Sequence, residues 1–135
     1  MKINQINKVG LAVFKDKKIL MARSGRNAEI FYTLGGKIET GESDEACIVR
    51  EVREEASTEI TPGSLIFLKE FRALAHDKPN TIVNLRLYTA TFLSEPIPAS
   101  EVVELSYLDA ASDEKHFSDL TREIFGWLCK NNYIN

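Results

Sequence analysis

The chain has 135 residues and a formal charge of −3, with 44% hydrophobic and 27% charged residues, the balance of one soluble globular domain, residues 1–135, with a single core. That charge offers no general attraction to nucleic acid polymers or anionic membranes, although a bound cation would invert its sign locally. No apolar run approaches the roughly 20 residues of a bilayer span, residues 1–8 lack the apolar stretch of a secretion signal, and the two cysteines, Cys47 and Cys129, argue against a disulfide framework and for a reducing, cytosolic setting.

In chain order, Val9–Phe14 and Ile19–Ala22 read as short strands around the polar turn Lys15–Lys18. Ser24–Asn27 reads as loop and Ile30–Leu34 as an extended piece leading into Gly35 and Gly36, which let the backbone approach a ligand closely. A helix is expected over residues 44–56, with Ser43 or Asp44 as its N-cap. Ser57 falls at C′, where a left-handed turn would cost serine roughly 1–2 kcal/mol. Pro62-Gly63 marks a turn. Leu65–Leu74 and Thr81–Phe92 read as a strand pair joined through His76–Asn80, and Asn84, Arg86 and Tyr88 alternate with Val83, Leu85 and Leu87 as two chemically different faces. Pro96 and Pro98 stiffen a loop, Val102–Leu108 reads as a further strand, and a last helix over Ser118–Lys130 carries Leu120, Ile124, Trp127 and Leu128 as its core stripe. Strands before and after one helix, closed by another, indicate an α/β or α+β sandwich with its topology open.

The informative stretch is Gly36 to Glu55. On the expected helix Glu51, Glu54 and Glu55 share roughly a 100° arc, while Ile48, Val49, Val52 and Ala56 fill the apolar arc beside it. A solvated acidic face accounts for charge on a helix but not for its position. Glu54 and Glu55 sit at the C-terminal end, where the helix dipole disfavours anions. Carboxylates at i, i+3 and i+4 suit a hard cation such as Mg²⁺ or Mn²⁺, and with it a phosphate-bearing substrate. Arg50, beside Glu54 on the wheel and next to Glu51 in sequence, is placed to fix a carboxylate rotamer. Lys37 is divided between phosphate and solvent, Arg23 between phosphate or base and the surface, and Glu39 between support and metal. His76 and His116 read as exposed, Trp127 as core, and Tyr88 and Phe31 as core or base-stacking aromatics.

The same stretch resembles the signature of the Nudix hydrolases: Gly36, Glu42, Arg50, Glu51, Val52, Glu54 and Glu55 all fall in register. Ser57 stands where glycine is usual, Thr58 where an aliphatic is usual, and Thr33-Leu34-Gly35-Gly36 replaces the frequent Leu-Pro-Gly-Gly. The resemblance implies an α/β/α sandwich with a mixed sheet between helices, and hydrolysis of a nucleoside diphosphate linked to another group with Mg²⁺ or Mn²⁺. It implies Glu54, Glu55 and the Gly36 carbonyl as metal ligands, and Glu51 as a further ligand or the water-orienting base. Glu51, Arg50 and Glu54 are thus the catalytic candidates. Glu42 divides between stabilising the loop and binding metal. A glutamate from a distant loop, Glu101 or its rival Glu104, joins Arg23 and Lys37 as a substrate candidate. A small nucleotide or nucleotide derivative is the expected partner, with MutT-like cleavage of (deoxy)nucleoside triphosphates as the leading subclass and nucleotide sugars open. A nucleotide-sensing module without turnover is the rival reading, and exposed strand edges leave room for a homodimer.

Overall fold

A computed structural model describes residues 2–26, 29–75 and 78–135. His76 and Asp77 of the expected hairpin turn, and Asn27 of the expected loop, lie outside the described residues. The strands are β1 (Asn4–Ala12), β2 (Phe14–Lys15), β3 (Lys18–Ser24), β4 (Phe31–Lys37), β5 (Ile66–Leu74), β6 (Thr81–Thr89) and β7 (Val102–Leu108), and the α-helices are α1 (Asp44–Ala56) and α2 (Asp119–Lys130). The sheet runs β2-β3-β4-β1-β6-β5, with β7 also on β3. It is mixed: β1 runs parallel to β6, and the other pairs are antiparallel.

Alternation assigns the two faces. Ile19 and Met21 join Ile124, Phe125 and Leu128 of α2, while Leu20 and Ala22 join Ile48, Val52 and Ala56 of α1. With helices on both faces β3 has no polar side, which is why it reads as a continuous apolar run. The sandwich expected from the sequence is therefore present, one helix on each face. The alternation in β6 holds as well, with Val83, Leu85 and Leu87 buried and Asn84, Arg86 and Tyr88 half-buried on the other face.

Several boundaries differ from expectation. β1 begins at Asn4 rather than Val9, because its parallel register with β6 runs from Asn4↔Thr81 to Ala12↔Thr89. Backbone pairing extends a strand through Asn4–Lys8, where a single apolar residue, Ile6, is too little for a strand signal. β6 stops at Thr89, and Phe92 makes only an isolated bridge to Ile60. β4 continues through both glycines to Lys37. A side chain at Gly35 would place its Cβ 2.2 Å from the Val9 carbonyl oxygen, so glycine is what lets β4 lie against β1 there. On α2, Ile124, Phe125 and Leu128 are buried, whereas Leu120 and Trp127 only pack against the core from its margin.

The helix termini are closed locally. Ser43 caps α1, its Oγ accepting from the Ala46 N–H at 3.1 Å. Ser43→Ala is expected to lower stability by about 1 kcal/mol, read as a shift in the denaturation midpoint with an unchanged slope. At the other end Ser57 takes the left-handed conformation (φ 51°, ψ 37°). Ile97 and Ala99 donate their N–H groups to the carbonyls of Ala56 and Glu55 at 2.8 and 3.1 Å. Thr58 is buried with its hydroxyl 2.6 Å from Ser94 Oγ. Both departures from the family pattern thus keep the turn, one by accepting left-handed backbone and one by a hydroxyl contact where an aliphatic would pack.

Candidate active site

The α1 acids and the β4 glycines meet because α1 packs on β4, and Arg50 organises what lies between them. Its Nε and Nη2 donate to the two oxygens of Glu42 at 2.7 and 2.9 Å, and its Nη1 donates to Glu51 Oε1 at 2.7 Å. Weaker reach extends to Glu54 at 3.6 Å, Glu39 at 3.7 Å and the Lys37 carbonyl at 3.4 Å. Glu42 also accepts the Glu39 N–H at 3.1 Å. The guanidinium first, and that N–H second, hold the Glu42 carboxyl down at about 2. Glu42 thus ties the loop before α1 to Arg50, the first of the two roles open to it from sequence.

Glu51 and Glu55 behave in the opposite way. Burial raises the Glu51 carboxyl, Arg50 opposing it and the charges of Glu54 and Glu42 adding to it. Glu55 is pushed up to about 8, by burial first, while the Gly35 N–H it accepts at 2.9 Å pulls it down and neighbouring Glu51 and Glu54 push it further up. The charge of Lys8 contributes least and does not offset the burial. Gly36 permits this packing, because a Cβ there would lie 2.8–3.0 Å from the Glu51 carboxylate. Glu54 is more open, its side chain 53% exposed.

This donor set is chemically suited to a hard divalent cation. It is all oxygen, it concentrates negative charge where burial opposes ionisation, and the glycine leaves room for a carboxylate against the strand. The expected convergence of the three carboxylates is not closed, however. Among the described residues no three His, Cys, Asp or Glu side chains are gathered tightly enough to hold an ion. Arg50 instead bridges Glu51 to Glu42.

The remaining candidates divide. Lys37 lines a cavity of about 400 Å³ beside Gly35 and Gly36, together with Lys8 and Lys78 and an apolar floor that includes Val83, Leu85 and Ile124. Arg23 instead donates to Glu104 at 2.9 Å, its neighbour across the β3–β7 register. Glu104 is also bonded by Ser106 at 2.8 Å, and these two donors lower its carboxyl. That removes Glu104 as an open donor. Glu101 lies 3.5 Å from Arg26 with both side chains largely exposed, and its charge reaches Tyr32 as that of Glu55 does. Phe31 is core, edge-on to His116, whose Nδ1 is 2.6 Å from the Glu29 carbonyl oxygen. His76 lies outside the described residues.

Two features had no clear sequence signal. Tyr32, just upstream of the glycines, is pushed up to about 12 by burial and then by Glu55, with Ser24 as an opposing hydrogen-bond partner. Asp44, weighed as an N-cap alternative, instead accepts from Arg86 at 2.7 and 2.6 Å and from the Tyr88 hydroxyl at 2.6 Å. The Arg86 contact is the main cause of its lowered carboxyl. Tyr88 is thereby tied to the start of α1, with its ring edge-on to Phe67. This latch joins α1 to β6 and fixes the azimuth from which the acids project. Arg86→Ala is expected to cost about 1–3 kcal/mol in urea unfolding and to lower any turnover through α1.

Comparison with known proteins follows the same lines. A NUDIX domain profile matches residues 5–127. The NAD-capped RNA hydrolase NudC of Stutzerimonas stutzeri is 46% identical over 55 residues, 40% of this chain and 20% of that protein. The chain thus spans about a fifth of the length of that curated relative. Among solved structures, the MutT protein of Methanosarcina mazei superposes with a TM-score of 0.78 at 18% identity, covering 98% of each chain. A NUDIX hydrolase from Nitrosomonas europaea gives 0.76 at 16% identity, covering 97% of this chain and 93% of its own. These two share the fold. With the acidic signature in register on α1 and the profile matching nearly from end to end, the chain belongs to the Nudix family.

Proposed function

We propose that residues 1–135 act as one hydrolase domain that cleaves the pyrophosphate link of a nucleoside diphosphate joined to another moiety, using Mg²⁺ or Mn²⁺. Family members generally depend on divalent ions, and the all-oxygen donor set supports those two. The supporting observation is the pair of raised carboxyls, Glu51 and Glu55, packed against Gly36 and Gly35 at the end of α1. Buried acids with raised affinity for a proton are groups that an entering cation would stabilise as anions.

The Gly36 carbonyl and the carboxylates of Glu51, Glu54 and Glu55 would hold the ion. When bound, it would neutralise phosphoryl oxygens and make water acidic enough to attack. The chain's own residues do the rest. Arg50 fixes Glu42 and with it the loop that leads from β4 into α1, and keeps Glu51 in one rotamer until a stronger cation competes for it. Glu51 is either a ligand or the group that takes the proton of the attacking water. The cavity beside the glycines, with Lys8, Lys37 and Lys78, receives the substrate, its lysines meeting phosphate charge. Arg23 has at most an indirect part, through Glu104, and Glu101 is the better placed distal glutamate.

A (deoxy)nucleoside triphosphate substrate of MutT type is the leading subclass. The NudC relatives, NAD-capped RNA hydrolases, add NAD-capped RNA ends to the candidates, against the expectation from net charge. A catalytically silent nucleotide sensor gains nothing from Ser57 and Thr58, since both preserve the turn. The two free cysteines remain in keeping with a reducing cytoplasm, and no helix among the described residues is long and apolar enough to cross a membrane. The test is a substrate panel (nucleoside triphosphates, ADP-ribose, NAD and NAD-capped RNA) assayed with Mg²⁺, with Mn²⁺ and with a chelator. Metal-dependent release of a nucleoside monophosphate is expected for at least one member. Tight binding with no turnover across the panel would replace the enzyme by the sensor.

A further inference from the structure

We propose that β5 is a self-pairing edge, joining antiparallel to β5 of a second copy of this chain so that two sheets become one. β5 ends the strand order, bonded to β6 on one side only. At nine residues it is one of the longest strands, and three of the seven large exposed hydrophobic residues among those described lie on it: Ile66, Phe67 and Leu74. A long edge with apolar ends is a template for further strand addition.

The side chains select the partner and the register. Glu70 and Arg72 lie on the same face of β5, opposite Arg86 and Asn84 of β6. With a twofold axis through Phe71, Glu70 falls opposite Arg72 of the second copy and Arg72 opposite its Glu70, two cross-strand ion pairs from one contact. Lys69 falls opposite Ala73, so no like charges meet. The bulge at Leu68, where the register jumps from Phe67 to Lys69, takes one residue out of the count and sets Phe67 opposite Leu74 of the second copy. Both exposed apolar ends of β5 are then covered, each by the other. Moving the axis to Glu70 or Arg72 would oppose Glu70 to Glu70 or Arg72 to Arg72. Charge therefore favours one register. Arg72 has no ion pair among the described residues, and Glu70 only a 3.9 Å approach to Arg86, so both remain disposed for a partner.

Sedimentation velocity over a range of protein concentrations tests this, with activity as a separate readout because neither residue belongs to the proposed hydrolytic site. Wild-type protein is expected to dimerise reversibly. Glu70→Arg alone or Arg72→Glu alone should weaken the dimer by about ten- to hundredfold, through two attractions becoming two repulsions. The double variant Glu70→Arg/Arg72→Glu should regain wild-type affinity. An equimolar mixture of the two single variants should form heterodimers, since each supplies the charge that the other lacks. A wild-type chain that stays monomeric, or a dimer indifferent to all three changes, would overturn the proposal. Unaltered circular dichroism in each variant separates loss of pairing from loss of fold.

Discussion

Glu54→Gln is expected to lower metal-dependent turnover by about 10²–10³-fold, equivalent to the several kcal/mol that one charged ligand contributes to a phosphoryl-transfer site. Stability should change by less than about 0.5 kcal/mol. The reason lies in exposure. Glu54 is 53% exposed and reaches Arg50 only at 3.6 Å, so its charge does little for the folded state. Its neutralisation leaves the hydrogen bonds of Arg50 to Glu42 and Glu51 in place and removes one of the charges that raise the Glu51 and Glu55 carboxyls. The apparent affinity for Mg²⁺ should weaken alongside kcat. Saturating Mn²⁺ should restore part of the rate. Activity surviving at wild-type level in a folded Glu54→Gln protein would remove Glu54 from the site and, with it, the proposed ligand set.

The second large effect concerns pH. Glu55 is raised from an ordinary carboxyl value of 4.5 to about 8 in the folded chain. Between those values the folded state keeps a proton that the unfolded state has lost. Stability therefore falls as pH rises from about 4.5 to 8, the reverse of a salt-bridged acid. Over that window the loss is at most a few kcal/mol. Glu42 is held near 2 by Arg50, so its own contribution is already complete above 4.5 and adds no slope there. Metal-free wild-type protein is thus expected to melt at progressively lower temperature from pH 5 to pH 8. Glu55→Gln should flatten that dependence and be the more stable protein at pH 8. Adding Mg²⁺ at pH 8 should raise the wild-type Tm, because an ion that binds only the folded state stabilises it by mass action. It should do much less for the glutamine variant. A wild-type Tm that is flat or rising through this window would show that Glu55 is ionised without cost.

α1 and the residues it carries were legible from local pattern alone. Period and capping placed the helix at 44–56, the gapped run from Gly36 to Glu55 carried the resemblance to the family, and the glutamates at i, i+3 and i+4 carried the expectation of a hard cation, since local spacing is enough to put side chains on one arc. The two-faced alternation of β6 was legible in the same way, whereas the left-handed turn at Ser57, open in the sequence, was settled by the fold. Tertiary structure decided everything that depends on a partner far away. The parallel register with β6 made a strand of the mostly polar Asn4–Lys8. Arg23 was assigned to Glu104 by the β3–β7 pairing, which no local pattern records. The Asp44 latch to Arg86 and Tyr88 joins residues more than 40 positions apart. Burial against Gly35 and Gly36 separated Glu55 and Glu51 from exposed Glu54, although all three look alike in sequence. A carboxylate's spacing is local, whereas its desolvation and its counter-charges are set by the elements packed around it.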